Sequence, residues 1–305
     1  MELDYFIVDV FAGTALEGNP LAVVINSVGL TAEKMQAIAR EFNLSETTFV
    51  ERRPVELERA EGVRVRIFTT QEELPFAGHP TLGTASVLKL HFPDAAEGAT
   101  VRLALNVGTV PVRFGDAPEG VSGLFGEMTQ RDAEFGAKLA PGEAAWLVGL
   151  AETDLDTRLP PQIVSTGTAF AIVALRSHAA LERLQVSQRE ATHWLRERGA
   201  RWFYVLAPTG ATEPAWRARM QFEGGEDPAT GSAAGCAIAY LVRHNVVASG
   251  ERILLRQGVE IGRPSDLYLS ARLESKAENE EHVKVTDIHV AGSTVLVAKG
   301  RLFLS

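Results

Sequence analysis

The chain has 305 residues, too many for one ordinary core, which predicts two domains of roughly 150 residues. Hydrophobic residues are 46% and charged residues 23% of the total, which is globular usage and excludes a disordered chain. A formal net charge of -9 argues against a nucleic-acid binder, and a single cysteine, Cys236, excludes an internal disulfide and argues against a thiolate metal cluster. The start, Met1 to Phe11, has no basic n-region, and the longest apolar run, Ala233 to Val242, is far short of the ~20 residues a membrane span needs. A soluble, cytoplasmic, small-molecule-directed protein is the expectation.

Strands are predicted at Tyr5 to Val10 and Leu21 to Ile25, joined by a turn-rich loop that ends in Gly18-Asn19-Pro20. Thr31 caps a helix whose apolar positions Met35, Ile38, Ala39 and Phe42 share one face. Thr47 to Glu51 reads as a strand, with Glu46 one residue before it. Val63 to Thr69 alternates as a half-buried strand. Pro75 to Pro80 reads as a loop, Thr81 to Leu90 as an apolar helix, and Val101 to Leu105 with Thr109 to Phe114 as a hairpin. The stretch 115–121, rich in Pro, Gly and Asp, is the expected linker. Further strands follow at Ile163 to Ser165, Ala169 to Leu175, Trp202 to Leu206 and Trp216 to Phe222. Ser187-x-x-Glu190 has the form of a capping box opening a helix with Ala191, Trp194 and Leu195 inward. Asp227 to Ser232 reads as a loop before an apolar helix, Ala233 to His244. Strands are expected near 252–256, 267–273, 282–290 and 294–303.

The two halves overlay. Arg64 and Arg66 stand 153 positions before Arg217 and Arg219, as Pro75 does before Pro228 and Gly78 before Gly231. Gly18-x-x-Leu-Ala-Val-Val24 matches Gly167-x-x-Phe-Ala-Ile-Val173 at an offset of 149. The expectation is an α+β chain of two similar domains related by a pseudo-twofold, residues 1–118 and 119–293, with a last strand at 294–305 able to return to the first domain.

The chemistry is expected in the paired loops. Each leads into a helix whose first turn offers backbone N–H groups, a ready site for an anion such as a substrate carboxylate. Glu46, if placed in a water-poor cleft, can serve as a general base. His79 stands at a helix start, where the dipole favours the neutral imidazole. Asp227 can cap a helix or, opposite His79 in a shared cleft, bind an amine or hand on a proton. No GxGxxG, GxxxxGK[ST] or HExxH motif and no paired histidines on a helix are present, so neither cofactor nor metal is expected. Cys236, inside an apolar helix, reads as core.

Together, Gly18-Asn19-Pro20, Asn43 to Val50, Glu73 to Pro80, Glu226 to Ala233 and Gln257 to Ser265 resemble the PhzF family of phenazine biosynthesis isomerases, in family order along nearly the whole chain. The resemblance implies the diaminopimelate epimerase-like fold, each domain a β-barrel-like sheet around a central helix with the active site between domains. In the cysteine-dependent epimerases of that fold two thiols face each other. The matching positions here are Ala77 and Thr230, so that mechanism is not expected. The resemblance assigns catalysis to Glu46, with His79 and Asp227 beside it, and substrate binding to Gly78, Gly231, Ser232, Ala77 and Thr230. It implies a cofactor-free proton shift on trans-2,3-dihydro-3-hydroxyanthranilate or a similar small cyclic amino acid, by a homodimer. The alternatives are an epimerase or racemase acting on another small substrate, and a non-catalytic binding protein of the same fold.

Overall fold

The computed structural model describes residues 1–211, 213–274 and 284–304. The chain divides into two compact units, Met1–Met128 with Ala291–Ser305, and Thr129–Val290.

The first unit opens with β1 (Glu2–Val10) and β2 (Asn19–Ile25), which pair antiparallel. The turn between them needs Gly18. Its φ is +69°, and a Cβ there would press against the Val10 carbonyl at 2.5 Å. Helix α1 (Ala32–Phe42) follows, with Thr31 Oγ1 accepting from Lys34 N and Asn43 closing it in a left-handed conformation. Its buried Met35, Ile38 and Ala39 pack with Leu3, Val24, Phe49 and Phe68, each such large side chain contributing about 1.5–3 kcal/mol of apolar burial. The helix is the crossover that lets β3 (Glu46–Glu51) run parallel to β2. Next come α2 (Val55–Glu61), a helix the sequence pattern did not suggest, and β4 (Val63–Phe68), antiparallel to β3. The short β5 (Glu73–Leu74) leads into α3 (Gly78–His91). After β6 (Ala96–Glu97), strand β7 (Thr100–Leu105) lies parallel to β4, with α3 as its crossover. The hairpin partner β8 (Gly108–Phe114) and then β9 (Leu124–Gln130) continue antiparallel, joined through 115–121.

Helix α3 is buried from Gly78 through Leu88 and packs against β1, β2, β3, β7 and β8. An element apolar all round must be enclosed. Gly83 makes the enclosure possible, since a Cβ there would lie 2.7 Å from methyl groups of both Leu21 and Val10. Two polar pairs lie inside: Thr84 Oγ1 with Thr48 Oγ1 at 2.8 Å, and Ser86 Oγ with Thr294 Oγ1 at 3.0 Å.

The second unit begins with β10 (Glu134–Lys138), α4 (Pro141–Leu147), β11 (Gln162–Ser165) and β12 (Ala169–Ala174). Helices α5 (His178–Glu182) and α6 (Gln188–Glu197) precede β13 (Trp202–Pro208), β14 (Trp216–Arg219), β15 (Gln221–Phe222) and β16 (Gly225–Glu226). Helix α7 (Gly231–Arg243) is buried along nearly its whole length and packs on β11, β12, β13 and β18 (Ser265–Glu274), the strand that follows β17 (Ile253–Gln257). Along the second sheet β11–β12 is antiparallel, β12–β13 parallel, β13–β14 antiparallel, β14–β17 parallel and β17–β18 antiparallel. The first sheet follows the same order of senses through β1–β2, β2–β3, β3–β4, β4–β7 and β7–β8. The offsets in sequence are thus a repeat of topology.

The last strand, β19 (Lys284–Phe303), is a single element where two strands were expected; of the expected span 282–290, residues 282–283 lie outside the described ones. Its later residues pair with β1 and it also pairs with β9, which closes an eight-stranded barrel of β19, β1, β2, β3, β4, β7, β8 and β9 around α3. Two further expectations change. The strand expected from Trp216 to Phe222 is broken after Arg219. Ser187 does precede α6, but its side chain makes no cap, so the Ser187/Glu190 capping box does not form. No helix among the described residues is long and apolar enough to cross a membrane.

Candidate active site

Each unit places its candidate residues at the N-terminal end of its central helix. In the first, α3 starts at Gly78, three residues earlier than expected, so His79 is inside the first turn and Pro80 follows it. Proline is tolerated there because first-turn N–H groups have no intrahelical acceptor. Ala77 is the cap residue and contributes no side-chain bond, though its carbonyl accepts from Thr81 Oγ1 at 2.7 Å. Glu46 is the first residue of β3, not the one before it, and sits opposite Leu21 in the register. Side chains two apart on a strand share a face. Thr48 faces α3, as its bond to Thr84 shows, and Glu46 therefore faces α3 too.

The structure brings Glu46 and His79 together, with Oε2 and Nε2 3.4 Å apart. On the far side of the ring, Nδ1 is 3.2 Å from the amide nitrogen of Asn19, a residue with no exposed surface. An amide nitrogen can only donate, so Nδ1 accepts and the ring proton belongs on Nε2, facing Glu46. Burial pushes the His79 pKa down to about 3. The Glu46 contact is consequently a neutral imidazole beside a carboxyl group, at a distance where Nε2 and Oε2 make no hydrogen bond, and not an ion pair. A histidine held neutral does not compete for a proton with a carboxyl group beside it.

In the second unit α7 starts at Gly231, two residues earlier than expected, with Thr230 as cap residue and Ser232 in the first turn. Thr230 does not cap; its hydroxyl donates to Asp227 Oδ2 at 2.6 Å. Asp227 and Thr230 are thereby joined. Neither α3 nor α7 has a side-chain cap, and first-turn N–H groups of helices this long suit an anion. The position in β13 that corresponds to Glu46 is Trp202, opposite Phe170 just as Glu46 is opposite Leu21. Only one unit supplies a carboxylate at that strand start.

Cys236 is fully buried in α7, near Thr166 Oγ1 at 3.6 Å, and burial pushes its thiol up to about 11. It is a core group, as the sequence suggested. Among the described residues no three His, Cys, Asp or Glu side chains are grouped to hold a metal.

Two sets of residues were missed. Asn19 and Gln257 were visible only as members of motifs, and their contacts are tertiary. The second set had a signal. Arg66 grips Glu73 through Nε and Nη2 at 2.8 and 2.6 Å, and Arg219 grips Glu226 the same way at 2.9 and 2.6 Å. Both members of each pair are separated by the same offset of 153 from their counterparts. These bidentate clamps tie the strand before each loop to the residues that enter it.

Comparison with known proteins agrees with this fold. The family model described as phenazine biosynthesis-like protein, PhzC-PhzF, matches residues 8–300. The chain belongs to that family. Curated relatives from Pseudomonas aeruginosa and Pseudomonas chlororaphis, both named trans-2,3-dihydro-3-hydroxyanthranilate isomerase, are 37% and 35% identical, each alignment covering 98% of this chain and 99% of the relative. The crystal structure of a Bacillus anthracis phenazine biosynthesis protein of the PhzF family superposes with a TM-score of 0.85 at 26% identity, covering 100% of both chains. The family fold carried by the sequence motifs is the fold observed.

Proposed function

We propose that the protein is a cofactor-independent isomerase that moves a proton within a small cyclic amino acid, with trans-2,3-dihydro-3-hydroxyanthranilate as the substrate to try first. The observation that carries the reading is the Asn19–His79–Glu46 arrangement, in which a neutral, buried imidazole lies 3.4 Å from one carboxyl group at the N-terminal end of α3. Glu46 takes a proton from a carbon activated by the adjacent π-system and returns it to another carbon. His79, kept neutral by burial, lies beside the carboxyl group and keeps its own proton. The family resemblance supports Asp227 as the group for the substrate amine and Ala77, Gly78, Thr230, Gly231 and Ser232 as substrate-binding residues. Acid–base assistance of this kind contributes roughly 10²–10⁴-fold, and positioning supplies the remainder.

A two-thiol racemase reading has less support, because Ala77 and Thr230 stand where the thiols would be and Cys236 is buried and protonated. The curated relatives' names also support an isomerase. Family resemblance further supports a cytoplasmic homodimer, which sedimentation analysis tests. The deciding experiment is Glu46→Gln, which keeps size and hydrogen bonding but removes the base. Turnover of trans-2,3-dihydro-3-hydroxyanthranilate is expected to fall at least 10³-fold with ligand binding retained. A variant within about tenfold of the wild-type rate refutes the assignment.

A further inference from the structure

Gln257, the last residue of β17, has no exposed surface, and its amide uses every hydrogen-bonding position it has. Nε2 donates to the Asp227 carbonyl at 2.8 Å and to Thr230 Oγ1 at 3.0 Å. Oε1 accepts from Thr230 N at 3.1 Å and from the Tyr204 hydroxyl at 2.9 Å. The partners fix which end of the amide is which, because Thr230 N can only donate and the Asp227 carbonyl can only accept. Burial raises the Tyr204 pKa well above the ordinary phenol value, so it remains a donor. The residue after the amide is equally constrained. Gly258 has φ +79°, and a Cβ there would run into the carbonyl oxygens of Arg263 and Pro228.

The direction of these bonds matters for Asp227. The Thr230 hydroxyl has one proton. Since Gln257 Nε2 donates to its oxygen, that proton is turned away from Gln257 and toward Asp227 Oδ2, where the contact is 2.6 Å. Tyr204 holds Gln257, Gln257 orients Thr230, and Thr230 donates to the carboxylate. The same amide also holds the Asp227 backbone.

We propose that Gln257, anchored by Tyr204, is a positioning residue that acts through Thr230 to hold the Asp227 carboxylate in its anionic, substrate-binding orientation. The inference rests on the role given to Asp227 above. Its test is therefore run without substrate as well as with it. The full-length protein labelled with ¹³C at aspartate carboxyl carbons is titrated, and Asp227→Asn identifies the resonance. Losing a donated hydrogen bond disfavours the anion, so Gln257→Leu is expected to raise the Asp227 midpoint by about one pH unit. Tyr204→Phe, which leaves the amide in place with one donor fewer, is expected to raise it by less. Because Gln257 acts through Thr230, adding Gln257→Leu to Thr230→Val is expected to move the midpoint no further than Thr230→Val alone. With substrate, Gln257→Leu is expected to lower kcat/KM at least tenfold and to shift the acid limb of its pH profile upward by the same amount as the carboxyl midpoint. An unmoved midpoint in Tyr204→Phe and Gln257→Leu, or fully additive shifts with Thr230→Val, overturns the proposal. If Gln257→Leu does not fold, Tyr204→Phe decides alone. If the wild-type protein does not turn over trans-2,3-dihydro-3-hydroxyanthranilate, the substrate assignment fails while the carboxyl titration still decides the positioning role.

Discussion

Keeping His79 neutral has a consequence for stability that can be worked out. In the folded chain its pKa is lowered to about 3 by burial, whereas an unfolded histidine titrates near 6.5. Because the folded pKa is depressed, the unfolded chain binds the extra proton first. The contribution to stability is intact above about pH 6.5 and is lost as the pH falls toward 3. Linkage gives a penalty of about 0.2 kcal/mol at pH 7 and about 2 kcal/mol at pH 5 from this one group. All four tryptophans, at positions 146, 194, 202 and 216, lie in the second unit, so indole fluorescence follows the wrong half of the molecule. Amide exchange of the buried α3 residues reports the first unit instead. After correction for intrinsic exchange, the slowest α3 amides of the wild type should lose about 20- to 30-fold protection between pH 7 and pH 5 beyond any loss in His79→Gln, in which nothing titrates at that position. Equal losses in the two proteins would refute the argument. So would an imidazole resonance of His79 that titrates near pH 6.

Three other outcomes are expected. Arg219→Leu leaves Glu226, 6% exposed, without its cation and with only Gln221 Nε2 still donating to it, and should cost about 3–5 kcal/mol; Arg66→Leu, whose partner Glu73 is 25% exposed, should cost about 1 kcal/mol. Urea unfolding followed by tryptophan fluorescence measures the first, and α3 amide exchange the second. Gly83→Ala forces a methyl against Leu21 and Val10 and should destabilise the barrel by about 1–3 kcal/mol, read by the same exchange experiment. Cys236→Ala should keep wild-type turnover with a loss of about 1–2 kcal/mol, and the wild-type thiol, pushed up to about 11, should resist iodoacetamide at pH 8 in the folded protein. A folded but inactive variant would restore a role for the thiol.

How far the sequence reaches depends on the range of the interactions involved. Helix α1 could be read residue by residue, because a capping threonine, an apolar stripe and a left-handed asparagine act within a few positions. The starts of α3 and α7 were placed too late for a related reason. Pro80 marks a first turn without saying which residue of it comes first, and Gly231 looks like a loop residue unless the packing of the turn is known. The Ser187/Glu190 pattern failed because tertiary contacts took over the segment: Val186 N donates to Gln221 Oε1, and Ser187 adopts a ψ of 80° outside the usual range for a cap. Strands were expected near 282–290 and 294–303 with a gap between them, yet Ser293 O in that gap accepts from Ala12 N and the strand continues.

The candidate site divides along the same line. Glu46, His79 and Asp227 stand out in short motifs, but what each can do is set by residues far away in sequence. Asn19 is 60 positions from His79 and fixes the side of the ring that carries the proton. Gln257 is 27 positions from Thr230 and fixes which way a hydroxyl points. Neither supplies or removes a proton, so no pattern of reactive residue types would single them out. The arginine clamps are the exception, because the chain carries the arrangement twice. One Arg–Glu pair seven residues apart is unremarkable, since such charges are common on surfaces. The same pair recurring at the repeat offset, each time leading into a buried helix, cannot be a solvated accident in both places. A repeat therefore makes long-range structure partly legible: it shows which residues the fold needed twice. It also shows by exception which were needed once, as with Glu46 in β3 where β13 has Trp202. That asymmetry separates the repeated scaffold from the candidate site laid on it.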